Sequence, residues 1–313
     1  MQPTRTLSRT HRSPLKRMAA SWQYYVLMLI PVLILLIFKY YPMYGVTLGF
    51  KDYKVSKGII GSPWAEPLFK HFIRFLSAPS AVRVIKNTFI ISLYSLAVSF
   101  PFPILLAIFL NELRSDKLRK SVQMITYMPY FISTVVLVSM IIQFTDLNFG
   151  IVNQFIRAMG GDAVNFMGKK DYFRHLYVWT GVWQSAGYNA IVYLAALSGV
   201  SRDLYDAAVV DGASKVQRIL HVDIPGILPT IIVLLILNVG SVLSVGFEKI
   251  YLMQNNTNLS VSEVISTYVY RMGLVNNNYS YSTAVGLFNS LVNCTLLIIT
   301  NQIARKVSDT SLW

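Results

Sequence analysis

Charge is scarce in this chain. Of its 313 residues, 13% are charged and 54% are hydrophobic, whereas a soluble domain carries about a quarter charged residues. Soluble helices also keep one polar face, and the long apolar runs here leave none. Cysteine is scarcer still. Cys294 stands alone, which excludes an internal disulfide and a thiolate metal cluster. The four histidines, His11, His71, His175 and His221, lack ligand spacing, so no metal site is expected. No G-x-x-x-x-G-K-[ST] loop occurs, so the chain has no recognisable phosphate cradle for ATP. A membrane transferase would need clustered His, Asp or Glu near an interface. The one close cluster is Asp203, Asp206, Asp211 and His221, and no catalytic residue is assigned.

What the chain has in abundance is apolar sequence of membrane length. A spanning helix needs roughly 20 apolar residues. Six segments qualify: Trp22–Tyr41, Asn87–Leu110, Val122–Phe144, Leu176–Leu197, Ile227–Phe247 and Ser282–Ile303. The last five contain no Lys, Arg, Asp or Glu, as the cost of charge in hydrocarbon requires. The expected fold is an all-α membrane protein of six transmembrane helices. The first run is preceded by Arg5, Arg9, Arg12, Lys16 and Arg17, but no small-residue cleavage site follows it, and Tyr40, Tyr41 and Pro42 end it. It reads as a retained span.

The basic N-terminal arm, 1–21, is expected to stay in the cytoplasm by the positive-inside rule. The inner loops are then Asn111–Ser121, Ser198–Gly226 and the tail 305–313, with one membrane domain over 22–304. Both termini are cytoplasmic in this reading. The net charge of +14 is scattered among membrane flanks, which points to lipid headgroups and away from nucleic acid. Outside, Phe69, Phe72, Ile73 and Leu76 recur at helical spacing, with Lys70, His71 and Arg74 facing away. A second outer helix is expected over Ile151–Met159, stopped by Gly160 and Gly161.

The loop 201–229 is ordered and polar between two spans. Tyr205–Val210 can be helical; Asp211 and Gly212 break it, with Asp211 placed to cap the next helix. Ala213, Val216, Ile219 and Leu220 give that helix an apolar face, and Pro225 and Pro229 fall where the fifth span begins. By itself this is equally a handle for another protein and an ordinary surface helix-turn-helix.

A second set of residues could carry a polar ligand through the bundle. Neutral hydrogen-bonding and aromatic groups inside membrane helices face the interior. Candidates are Tyr130 and Thr134 on the third span, Trp183, Gln184, Tyr188 and Asn189 on the fourth, Asn238 and Ser241 on the fifth, and Glu248 just beyond it. Hydrogen bonding between helices alone would use the same residue types.

The segment Asp206–Pro229 resembles the cytoplasmic coupling loop of ABC-importer permeases, E-A-A-x-x-D-G-A followed by I-x-L-P-x-x-x-P. Ala207, Ala208, Asp211, Gly212, Ala213, Val222, Pro225 and Pro229 fall on the pattern; Asp206 stands where the family has Glu and Ile224 where it has Leu. Y-Y-P-M-Y-G-V-T-L-G-F-K-D-Y (Tyr40–Tyr53), G-S-P-W (Gly61–Trp64), K-N-T (Lys86–Thr88) and T-Y-V-Y-R-M-G (Thr267–Gly273) resemble the polysaccharide and complex-oligosaccharide branch, which includes alginate and rhamnogalacturonan permeases and is more distantly similar to maltose permeases. The resemblance implies a cell-membrane permease subunit paired with a second, different permease. Two ATPase subunits would bind ATP and Mg and each receive one coupling helix. An extracytoplasmic sugar-binding protein would deliver the substrate, and this chain would bind no cofactor itself. The competing expectation is an ion-gradient-driven sugar carrier, which would use intramembrane acids or discontinuous helices.

Overall fold

A computed structural model describes residues 21–243 and 245–307. The basic arm and most of the tail 305–313 lie outside the described residues. Among the described residues the structure is helical, with one isolated antiparallel bridge between Lys51 and Trp64 and no strand. Helix α1 (Trp22–Leu35) continues through a π-type turn and ends in a 3₁₀ segment, Tyr44–Phe50, so the first apolar helix is longer than Trp22–Tyr41. A short helix, α2 (Lys70–Leu76), leads to α3 (Pro79–Ser99) and α4 (Pro101–Asn111), which form one long helix. Next come α5 (Asp116–Tyr127), α6 (Thr134–Phe144), α7 (Ile151–Ala158) and the 29-residue α8 (Lys170–Ser198). The chain continues with α9 (Arg202–Val210), α10 (Lys215–Arg218), α11 (Ile224–Gly240), α12 (Phe247–Met253), α13 (Ile265–Tyr270) and α14 (Tyr279–Val307).

Among the described residues, four helical stretches are long and apolar enough to cross a membrane: Trp22–Phe50, Pro79–Asn111, Lys215–Gly240 and Tyr279–Lys306. The expected third span is broken. Asp116–Phe131 and Thr134–Phe144 meet at 99°, because Pro129 sits in a 3₁₀ turn and Ser133 starts a new helix by accepting a bond from the Val136 amide. The expected fifth span also stops early, at Gly240, and the chain re-forms as α12 from Phe247. Helix α8 has ample length, but charged residues crowd its first turns and Gln, Ser and Asn interrupt its centre.

Among the described residues, three of four apolar clusters join the helices as follows. At the end nearer α9, Ala107, Ile108, Ala190, Tyr193, Leu197 and Ile227 join α4, α8 and α11. Toward the opposite end, Ile91, Leu137, Val138, Ile141, Phe173 and Ile250 join α3, α6, α8 and α12. Phe75, Val84, Ile265, Tyr268 and Tyr281 bind α2 to α13 and α14. The last cluster leaves the apolar stripe of α2 outward. Phe69, Ile73 and Leu76 are exposed, while His71 and Phe75 are buried. The His71 Nε2 lies 3.1 Å from the Lys51 carbonyl and 3.2 Å from an Asp52 carboxylate oxygen, so a polar side chain takes the inner face and the apolar stripe is left outward. On α7 the buried residue is likewise Asn153, which donates to the Asp146 and Val164 carbonyls, both at 2.9 Å. Nearby, Glu263 is 1% exposed and clamped by Arg83, at 2.7 Å, and by Arg271. Such a carboxylate is tolerated in the interior only with partners of this kind.

Candidate functional site

Between the two main clusters, α3, α4, α8 and α11 enclose a cavity of about 370 Å³. Its polar surface comes from Ser92, Ser95 and Ser99 on one side and from Asn189, Asn238 and Ser241 on the other, with Tyr177, Tyr188 and Tyr193 as aromatic walls. No charged side chain lines it among the described residues. Ser92 is 4% exposed and its hydroxyl has no hydrogen-bond partner; the buried Ser95 hydroxyl has none either. Buried hydroxyls normally find partners; these two have none among the described protein groups. Asn238 and Ser241 each donate back to their own helix, to Leu234 at 2.7 Å and Leu237 at 3.2 Å.

The sequence candidates divide. Tyr188, Asn189, Asn238 and Ser241 line the cavity. Tyr130 adjoins it by stacking on Tyr188, with ring centroids 3.8 Å apart and planes 5° apart. Gln184 is otherwise engaged: its amide donates to the Ile132 carbonyl at 2.9 Å, bracing the bend between α5 and α6. Thr134 opens α6 at that bend. Trp183 lies on the exposed side of α8 and does not line the cavity, and Glu248 is exposed on α12. Sequence reasoning missed the serines of α3, although Ser92, Ser95 and Ser99 at i, i+3 and i+7 form a legible stripe on an apolar helix. It also missed Lys249, which is buried on α12, donates to the Tyr177 carbonyl at 2.9 Å and lies 5.0 Å from the centre of the Tyr177 ring.

At the end of the bundle, α9 and α10 form a projecting corner. Gly212, at φ +73°, takes the left-handed turn that ends α9, and the Ala213 amide bonds the Ala208 carbonyl at 2.9 Å. Asp211 terminates α9 and does not cap the following helix. Ser214 is that cap, in a reciprocal capping box with Gln217. Helix α10 then runs through a π-type turn, Ile219–Asp223, straight into α11. Pro225 lies in the first turn of α11 and Pro229 within it, so both prolines sit in a continuous helix. Asp206, Ala207, Asp211 and Gly212 are exposed, and Ala208 and Ala213 are half-buried. Val210 is 86% exposed, with Leu204, Val209 and Val216 also outward.

Two polar ties fasten this corner to the bundle. The Tyr205 hydroxyl donates to the carboxyl of Asp223, which is 0% exposed. Burial pushes the Tyr205 phenol up to about 12, and the Asp223 bond adds to the shift, so Tyr205 remains a donor near neutral pH. Arg218 lies 3.6 Å from Glu112 at the end of α4.

Residues 99–309 match the model of the binding-protein-dependent transport system inner membrane component family. The chain belongs to this family. It is a multi-pass permease subunit of the inner membrane, not a catalytic one. It is 41% identical over 292 residues to the polygalacturonan/rhamnogalacturonan transport system permease protein YteP of Bacillus subtilis, covering 93% of this chain and 90% of that one. It is 41% identical over 293 residues to protein LplB of the same organism, covering 93% and 91%. The permease fold also matches a solved structure, a bacterial alginate ABC transporter in complex with an alginate pentasaccharide-bound periplasmic protein. The TM-score is 0.88 at 37% identity, over 96% of this chain and 100% of that chain.

Proposed function

We propose that this permease is a subunit of an ATP-driven importer of oligosaccharides, including fragments that contain uronic acids. In this reading the chain crosses the membrane six times, with the bent pair α5–α6 and the polar α8 as the third and fourth crossings, and both termini are cytoplasmic. The membrane domain spans 22–304, between a basic arm and a short tail. A second, different permease completes the pathway, and an extracytoplasmic binding protein delivers the sugar. Two ATPase subunits carry ATP and Mg. One of them seats the corner formed by Asp206, Ala207, Ala208, Asp211, Gly212 and Ala213, with Pro225 and Pro229 in the helix that transmits its motion.

The observation that carries this reading is the cavity: uncharged, and lined by hydroxyls, amides and aromatic rings midway along a permease bundle. Sugars are bound by such surfaces, with rings stacked on aromatics and hydroxyls bonded to neutral donors and acceptors. Tyr188, stacked on Tyr130, and Asn189, Asn238 and Ser241 form the substrate path in this reading. Thr134, Trp183, Gln184 and Glu248 are given weaker parts in it, since none of the four lines the cavity. The exposed valines beside Gly212 suit a protein groove better than water. The test is uptake of a labelled oligogalacturonide by the complete complex in proteoliposomes. Import that requires internal ATP and the binding protein, and ignores a protonophore, supports the reading. Import that survives ATP removal and collapses with the ion gradient would establish the ion-driven alternative.

A further inference from the structure

We propose that Lys249 is the carboxylate-recognition residue of the cavity, the group by which this subunit prefers uronate residues to neutral sugars. The inference rests on the cavity being the sugar path.

The position of this lysine needs a reason. Lys249 is 9% exposed and faces inward from α12, while its neighbour Glu248 points outward. Among the described residues no carboxylate pairs with it. Its ammonium donates to the Tyr177 carbonyl at 2.9 Å and lies over the ring of the same tyrosine. An ammonium has three donors, and a carbonyl with a ring face leaves the positive charge without a counter-ion. Buried charges are otherwise paired, as Glu263 is with Arg83 and Arg271 in the same molecule.

The geometry then ties the ammonium to the cavity. Tyr177 is both its partner and a lining residue. One turn further along α8 is Gly181, where an added Cβ would stand 3.3 Å from the Lys249 nitrogen. Positions 177, 181 and 188 share one face of a helix at i, i+4 and i+11. Tyr177 and Tyr188 on that face line the cavity, and the ammonium sits behind Tyr177 and beside Gly181, next to the lining but not part of it. Gly246, which begins the turn into α12, also lines the cavity. No lining residue is charged, and Lys249 is the cation bonded to the Tyr177 wall, so in this proposal a sugar carboxylate seated beside Tyr177 pairs with Lys249. The carboxylate supplies the missing counter-ion and the two N–H groups accommodate its oxygens. A neutral sugar in the same place gains no such pairing.

The test compares a galacturonic acid trimer with its carboxyl-reduced galactose counterpart. Uptake is measured with the full complex and one binding protein, and each variant is expressed relative to wild type for each probe, so the binding protein's own preference cancels. Lys249→Met, which keeps the aliphatic stem, is expected to lower relative uptake of the acidic trimer at least tenfold and that of the reduced trimer less than threefold. Lys249→Arg should restore the acidic trimer to within threefold of wild type. Gly181→Ala, whose added Cβ would stand 3.3 Å from the ammonium and displace it slightly without removing it, is expected to give a smaller loss than Lys249→Met, confined to the acidic trimer. Equal loss of both probes, or no loss of either, overturns the proposal. A wild-type complex that carries the reduced trimer and refuses the acidic one overturns it while leaving sugar import intact; one that carries neither overturns the reading beneath it.

Discussion

Removal of the Tyr205 hydroxyl tests whether the projecting corner moves with the bundle or apart from it. In Tyr205→Phe the ring remains, but the carboxyl of Asp223 loses its donor. Its second oxygen already lacks a partner, so the variant leaves a fully buried carboxyl with no hydrogen bond. Leaving a buried acceptor without its partner costs about 1–3 kcal/mol. A loss near 2 kcal/mol raises the population of a detached corner roughly thirtyfold. Energy applied to α9 would then dissipate in the joint. The expected result is a complex that assembles and hydrolyses ATP but imports several-fold less sugar per ATP. The cost arises from the orphaned carboxyl, so Tyr205→Phe combined with Asp223→Leu should recover much of the lost stability, because replacing both partners by apolar groups can be nearly neutral. A double-mutant cycle on thermal stability and on sugar imported per ATP measures the term. Unchanged coupling in Tyr205→Phe, or effects of the two substitutions that simply add, would refute the tie.

Other outcomes follow from single contacts. An added Cβ at Gly187 would stand 2.0 Å from the Thr126 carbonyl oxygen, so Gly187→Ala should separate α5 from α8 and sharply reduce assembled complex on a gel-filtration profile; normal yield would show that the helices do not approach this closely. Tyr188→Ala removes the ring stacked on Tyr130 and should lower uptake and substrate-stimulated ATPase activity about tenfold, equivalent to about 1.4 kcal/mol of lost contact; unchanged values would remove Tyr188 from the path. In the loop after α1, the Lys70 bond at 2.8 Å, then the charges of Lys70 and His71, hold Asp52 below the ordinary aspartate range. Because its folded value is the lower one, the stabilisation is present above the unfolded value and is lost as the pH falls through the folded value. Asp52 is about one-third exposed, so the effect is small, ~0.2–1 kcal/mol. Hydrogen exchange of this loop should quicken in acid in the wild type and show a flatter pH response in Asp52→Asn.

The sequence yields the architecture because membrane length and absence of charge are strong constraints. The apolar runs around Asn87, Ile227 and Ser282 became long helices, and the loop from Asp206 became a helical corner turning at Gly212. The failures have local causes. Periodicity places Phe69, Ile73 and Leu76 on one face but does not say which face is covered. In a membrane protein the apolar side can face lipid while a bonded histidine turns inward. Pro129 and Ser133 broke the third run through turn and cap chemistry that hydropathy does not register. Asp211 and Ser214 are both competent caps, and the reciprocal bond to Gln217 decided for Ser214. Of the candidate ligand residues, those whose side chains share the cavity face of α8 and α11 came together. Gln184 had the right chemistry, but the Ile132 carbonyl at the broken helix took its amide. Lys249 was invisible because a lysine beyond a span reads as an interfacial anchor until the fold buries it.

The measurement closest to the centre of the account is a paired assay of ATP hydrolysis and sugar uptake on the complete complex carrying Gly212→Asp. Gly212 holds a positive φ at the exposed turn of the corner, where a carboxylate would stand in the proposed ATPase groove. The account predicts a complex present in the membrane, with ATP hydrolysis retained and uptake lost. Uptake per ATP equal to wild type would contradict it.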